Sequence, residues 1–298
     1  MATALLLLPD FLLIACGYVI CRYTPLDRSV WDGAERLVYY VLFPVLLFVS
    51  IVKNPQQVAS SVPLAASGLS VMAVGIVLAY AIGYWPGVDR NLHASGAQTA
   101  FRFNSYVALA LAERLGGSQG VAWVAVLMSV CVPFANVAAV WPMARHREQG
   151  YLRELARNPL IIATLGGLLA NLLGLRFAQP VEATLQRIGV AALPIGLMAV
   201  GAGLRFGALR TSPALATALL SIRHLVLPLV SLPVVTWLAL PEGQRRIAVA
   251  FAAMPTASSA YVLAARMGGH GAFVAGLVSL STLLGMVTLP LWLALLSG

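Results

Sequence analysis

The sequence predicts an all-α integral membrane fold: ten transmembrane helices in two inverted five-helix repeats, with helices 4 and 9 broken where they cross. Three observations lead there: an apolar, charge-poor composition, apolar runs of membrane-spanning length, and echoes between the two halves at a nearly constant offset.

Of 298 residues, 60% are hydrophobic and 10% charged, against roughly a quarter charged in a soluble domain. A soluble core cannot hide that much apolar surface. Runs near the ~20 residues needed to cross a bilayer recur along the whole chain, so residues 1–298 read as one membrane domain. The net charge of +9 comes from basic residues scattered through short connections. Such scatter excludes a nucleic-acid surface, which gathers its cations on one face. Cys16, Cys21 and Cys131 lie in or beside apolar runs without paired metal spacing, so they read as buried structural thiols.

Hydropathy and helix breakers place spans at about 3–21, 35–53, 62–85, 97–114, 119–143, 158–175, 183–204, 212–240, 245–266 and 271–296. The first run lacks a basic leader region and a small-residue cleavage pattern, and reads as a retained span. With both termini outside, the cytoplasmic connections hold twelve arginines, from Arg22, Arg28 and Arg36 through Arg145 and Arg147 to Arg205, Arg210 and Arg266. The other side holds six basic residues, Lys53, Arg114, Arg176, Arg187, Arg245 and Arg246. The positive-inside rule therefore favours that orientation, in a bacterial inner membrane.

Arg114-Leu115-Gly116-Gly117 recurs as Arg266-Met267-Gly268-Gly269, 152 residues later, while Pro9 matches Pro159 and Pro44 matches Pro194 at 150. These echoes divide the chain into repeats 1–150 and 151–298. Each repeat holds an odd number of spans, so the second is inserted upside down, as in many secondary transporters that work by alternating access.

Spans four and nine carry the polar residues. Arg102, Asn104, Ser105 and Tyr106 interrupt the first; Pro255, Thr256, Ser258 and Ser259 interrupt the second. The 152-residue offset aligns Asn104 with Thr256 and Tyr106 with Ser258, and a matched pair of interrupted helices points to a transport site. Pro255 cannot donate to the Phe251 carbonyl, while the Asn104 and Ser105 side chains can bond freed backbone groups. Helix N-termini exposed there carry partial positive charge, which suits a carboxylate. The competing reading is that these hydroxyls bond only their own helix and Pro255 merely kinks it.

Pro44 and Pro194 free the carbonyls of Tyr40 and Val190, either toward the same crossing point or as packing kinks. Asn136 is an intramembrane amide suited to support a broken helix. Arg102 either attracts an anion or snorkels to the interface. Arg223 and His224 lie within span eight without an acidic partner nearby in sequence, and intramembrane charge is a functional candidate by default. No catalytic or metal-binding motif appears, so neither an enzyme nor a resident cofactor is expected.

The segments Leu42-Phe43-Pro44-Val45-Leu46-Leu47-Phe48, Arg102-Phe103-Asn104, Asn158-Pro159-Leu160-Ile161-Ile162-Ala163, Ala192-Leu193-Pro194 and Met254-Pro255-Thr256-Ala257 resemble the auxin efflux carrier family. That family includes plant auxin exporters and bacterial permeases such as the malonate carrier. The resemblance implies the ten-helix fold shared with bile acid sodium symporters, with a mobile transport domain beside a scaffold. It also implies small carboxylate-bearing organic anions, malonate- or auxin-like, as substrates. By motif match, Asn104 falls at the family's substrate-contacting position and Pro255 at the span-nine break. The long cytoplasmic loop of the plant carriers is absent between Trp141 and Asn158, so a compact bacterial permease fits better. A sodium-coupled carrier and a non-transporting anion sensor are the alternatives. Proton or sodium coupling and a homodimeric assembly are left open by the sequence.

Overall fold

A computed structural model describes residues 2–53, 62–143, 159–204, 211–257 and 259–295. Ser258 and the basic connections at 144–158 and 205–210 lie outside the described residues. Helices α1 (Ala2–Tyr23), α2 (Arg28–Leu37), α3 (Phe43–Lys53), α4 (Val62–Ala81), α5 (Arg90–Gly96), α6 (Ser105–Val140) and α7 (Pro159–Leu172) make up the first part of the chain. They are followed by α8 (Gln179–Val190), α9 (Ala192–Ala202), α10 (Pro213–Ser221), α11 (Leu227–Trp237), α12 (Glu242–Ala252), α13 (Ala260–Arg266) and α14 (Gly271–Leu295).

By length and composition, six helical runs among the described residues can cross a membrane: Arg28–Lys53, Val62–Tyr84, Ser105–Val140, Gln179–Ala202, Pro213–Trp237 and Gly271–Leu295. The expected fourth and ninth spans do not appear as continuous helices because each is interrupted near its middle. The run Ser105–Val140 is itself two helices, since Gly117 at φ 55°, ψ −147° turns the chain in a conformation only glycine adopts readily. Gly268, at φ 73°, follows α13 in the same way. Each echoed glycine pair thus holds one left-handed residue, the second of the pair in the first half and the first in the second.

Two helices begin earlier than hydropathy suggests, at Arg28 and Arg90 rather than at 35 and 97. The reason lies in their caps: Asp27 accepts from the Ser29 N–H at 2.9 Å and Asp89 from those of Asn91 and Leu92 at 2.8 and 2.9 Å. Capping starts a helix in its polar first turn, before the apolar run that hydropathy detects. The same bonds hold both carboxyls below the ordinary carboxylate range, for Asp27 chiefly through the Ser29 hydroxyl and for Asp89 through the Leu92 and Asn91 N–H groups.

The helices pack as two groups. α1, α2, α3, α7, α8 and α9 lie mainly against one another; α4, α6, α10, α11, α12, α13 and α14 form the other group, and α6 touches both. Large apolar side chains such as Leu12, Val77, Leu165, Leu229 and Val287 remain exposed along the helices, while Tyr84, Trp141 and Trp237 are exposed at helix ends. An apolar girdle bounded by aromatics is the surface a bilayer selects.

Backbone-to-backbone contact fixes α1 on α9. A Cβ on Gly17 would overlap the Met198 carbonyl, and one on Gly201 would overlap that of Ile14. Gly201→Val is therefore expected to cost about 1–3 kcal/mol through overpacking and to lower the thermal unfolding midpoint in detergent. Gly33→Ala, on α2 with nothing within 4 Å of the new methyl, should instead gain roughly 0.5–1 kcal/mol. Equal midpoints for the two variants would contradict this packing.

Candidate functional site

The first break follows from local chemistry. α5 tightens into a 3-10 turn at Ala97–Ala100, the chain extends, and α6 restarts with Asn104 as its cap. The Asn104 side-chain oxygen accepts from the N–H groups of Tyr106 at 3.0 Å and Val107 at 3.3 Å, satisfying donors that a helix start leaves free. The second break runs from the end of α12 at Ala252 to the start of α13 at Ala260. Pro255, within it, has no N–H to return to the helix.

The two breaks lie against each other and complete each other's bonding. The Asn104 N–H donates to the Pro255 carbonyl at 2.8 Å, and that of Ala257 to the Arg102 carbonyl at 3.4 Å. Phe103 and Thr256 form an isolated antiparallel bridge. The Thr256 hydroxyl donates to the Thr99 carbonyl at 2.6 Å, so it bonds across to the other break and not to its own helix. The Gln98 amide donates to the Ala260 carbonyl at 3.2 Å, and the rings of Phe103 and Phe251 stand 4.2 Å apart.

Arg223 and His224 brace the second break from opposite sides of Pro255. Both are buried on a π-turn, Ile222–Val226. The Arg223 guanidinium donates to the carbonyls of Met254, Phe251 at 3.3 Å and Ala252 at 3.1 Å. His224 pairs with the Ser281 hydroxyl at 2.8 Å and with that of Thr288 at 3.1 Å, while the Ser281 oxygen accepts the Thr256 N–H at 2.8 Å. The Trp292 indole donates to the His224 carbonyl at 2.9 Å.

Arg102 bonds to neutral side chains of both breaks. Its guanidinium turns back to the Gln98 amide oxygen at 2.8 Å and across to the Ser259 hydroxyl at 3.2 Å. Ser105, half-buried, opens α6, and the Tyr106 ring packs 4.9 Å from that of Phe43. Pro44 follows a π-turn at Val38–Leu42, and Pro194 follows the break between α8 and α9. Beyond these two bends Phe43 and Gly196 both adjoin the Tyr106 ring. Asn136, half-buried on α6, is not among the residues the breaks bring together.

The electrostatics of this meeting point are one-sided. Among the described residues, Arg102 and Arg223 bond only to neutral groups, and neither meets a carboxylate. The Asn104 amide nitrogen is buried with no acceptor, although Asn104 is 1% exposed and a buried donor without a partner costs about 1–3 kcal/mol. A positive, donor-rich site with an unused amide suits an anion that supplies acceptors.

A family profile described as "Membrane transport protein" matches residues 88–293, which include both breaks. The chain belongs to this family, that of the auxin efflux carriers. A Rhizobium meliloti (strain 1021) protein named "Putative malonate transporter" is 25% identical over 303 residues, covering 95% of this chain and 92% of the relative. An "Uncharacterized transporter" of Methanothermobacter thermautotrophicus is 34% identical over 135 residues, 45% of this chain and 44% of its own. This family member is thus an integral membrane transporter.

Sequence reasoning missed several residues that this transporter uses at the breaks: Gln98, Thr99, Ser281, Thr288 and Trp292. Ser281, in the cluster Ser279, Ser281 and Thr282, and Thr288 are hydroxyls in the apolar α14, and Gln98-Thr99 is a polar pair just before the first break. Those were readable signals, but nothing in the sequence pairs them with their partners. Thr256→Val leaves the Thr99 carbonyl without its 2.6 Å donor. It should destabilise the protein by about 1–3 kcal/mol and speed hydrogen exchange at 98–104 more than in α1, as mass spectrometry can resolve. Uniform or unchanged exchange would argue against a bond that joins the breaks.

Proposed function

We propose that this transporter is a secondary active carrier of small carboxylate-bearing organic anions, malonate-like in size, that binds them where the two breaks meet and works by alternating access. The observation that carries this reading is the buried Asn104 amide without an acceptor, set between Arg102 and the N-terminus of α6. An ionised carboxylate supplies the missing acceptor, and hydrogen bonds to charged groups contribute about 1.5–3 kcal/mol each. The name of the Rhizobium relative agrees with a small dicarboxylate.

The proposed architecture is ten spans in two inverted repeats, with both termini outside a bacterial inner membrane. Its support lies in the pairing at the breaks. An axis relating residues 152 apart turns the Phe103–Thr256 bridge into an Asn104–Pro255 pair, and the Asn104 N–H does donate to Pro255. The grouping of the helices supports rocking of one group against the other across Tyr106.

The sodium-coupled alternative draws on backbone and hydroxyl oxygens near Thr256 to Ser259, and the hydroxyls of these two residues are already engaged. Thr256 donates its hydroxyl to Thr99, and Ser259 faces the Arg102 guanidinium at 3.2 Å, a cationic neighbour that repels a second cation.

Purified protein in proteoliposomes should exchange labelled malonate saturably. Asn104→Asp keeps the capping oxygen but replaces the amide donor with a carboxylate. It should retain the melting midpoint and lose roughly ten- to a hundredfold in affinity, the equivalent of about 1.5–3 kcal/mol. Unchanged binding and flux in this variant would sink the assignment, and saturable binding without flux in the wild type would favour the sensor.

A further inference from the structure

The buried pair on the π-turn serves no step in the binding of an anion at Asn104, yet it is the most concentrated polar investment in the second half of the chain. Arg223 is 2% exposed. Its three acceptors, the carbonyls of Phe251, Ala252 and Met254, are those released where α12 ends. Phe251 is four residues before Pro255, so its carbonyl loses its ordinary helical donor. Unwound carbonyls at a half-helix C-terminus carry the negative end of the helix dipole, and in many carriers they hold a sodium ion.

We infer that Arg223 is a tethered cation: its guanidinium fills the carbonyl site at the second break, so the transporter uses no exchangeable ion there. The geometry agrees in three respects. The three carbonyls converge on one guanidinium with no carboxylate to neutralise it, so the attraction comes from the helix end itself. His224, the next residue, secures the other side of Pro255 through Ser281 and the Thr256 N–H, which keeps the carbonyls from rotating away. At the offsets of 150 and 152 the corresponding positions in the first half are an apolar stretch of α4, Val71-Met72-Ala73-Val74, and neutral Gln98 and Thr99 bond across to the second break instead.

A cavity lined by Ser67, Val71, Phe101, Phe103, Arg223 and Ser231 adjoins the guanidinium, giving a small cation room beside the same carbonyls. Removal of the tethered charge should therefore leave a site that a free cation can occupy. Arg223 is a positioning residue on this account, since it acts on the substrate only through the break it holds. The site itself stands on the carbonyl geometry; only its consequence for transport rests on the carrier reading.

The test uses the full-length protein in detergent, heated in millimolar guanidinium, sodium or choline chloride. A ligand that binds only the folded state raises the midpoint with its concentration. Arg223→Ala should lower the midpoint, guanidinium should recover most of the loss, sodium part of it and choline none, while the wild type ignores all three. Arg223→Gln keeps a planar donor without the charge. It is expected to fold where Arg223→Ala does not, and to be stabilised by guanidinium and sodium above choline.

A loss that no cation recovers beyond choline, or an Arg223→Gln protein that melts like the wild type in every salt, overturns the inference. These readings need no substrate, so they stand even if malonate is not the cargo. Where malonate exchange is observed, Arg223→Gln should acquire a dependence on external sodium several-fold stronger than that of the wild type.

Discussion

Backbone groups have no water to turn to at membrane depth, and this constraint organises the molecule. An interrupted helix in hydrocarbon leaves N–H and C=O groups that each cost several kcal/mol unless protein satisfies them. Among the described residues, the breaks at Asn104 and Pro255 meet this need by lying together. The Asn104 N–H meets Pro255, the Ala257 N–H meets Arg102, and Thr256 reaches Thr99. Neither break is viable alone, so the two halves of the chain must be assembled before either is stable.

Side chains complete what the backbone pairing leaves over, and they do so unequally. The first break is closed by neutral residues, the Asn104 cap and the Gln98 amide. The second carries a proline, which removes a donor and adds a free carbonyl, and it is closed by a guanidinium and an imidazole–serine pair. The π-turn at Ile222–Val226 makes that possible, because its extra residue per turn brings two consecutive side chains, Arg223 and His224, to the interior. The two breaks are thus braced differently, the one that carries the proline by the charged residue.

How much of this was legible in the sequence depended on whether the signal was local. Pro255, and Asn104 ahead of an apolar run, disclose a break and a helix start through their own chemistry, and the glycine pair at 116–117 discloses a turn. The alignment of Asn104 with Thr256 followed from the repeat, and the breaks do meet there. The antiparallel register, Phe103 with Thr256, and the partners Thr99, Ser281 and Thr288 depend on contacts between residues far apart in the chain, which no local pattern encodes. Arg223 and His224 stood out only as unexplained charge. Their contacts became visible once the carbonyls of 251–254 had positions, and the bond of Arg102 to Ser259 likewise joins residues far apart in the chain.

The kinds of contact around the breaks also determine which surface can slide. Hydrogen bonds tie the two breaks to each other, to α14 through Ser281 and to the π-turn through Arg223. Toward α3 and α9 the first break presents the Tyr106 ring, which packs on Phe43 at 4.9 Å and against Gly196. Ring packing on a small residue is non-directional, and a shift of a few ångströms breaks no hydrogen bond there. A polar link that bridges the same boundary runs from Arg28 to the Tyr261 hydroxyl at 3.4 Å, while Arg28 holds Glu35 at 2.7 Å and Asp32 at 2.9 Å on its own helix. The strong ion pairs of Arg28 are therefore made within α2 and the weak, long contact is made across to α13. Arg28 thus keeps its ion pairs on α2, and the Tyr106 ring, two residues from Asn104, meets the facing helices by packing alone in the contacts with Phe43 and Gly196.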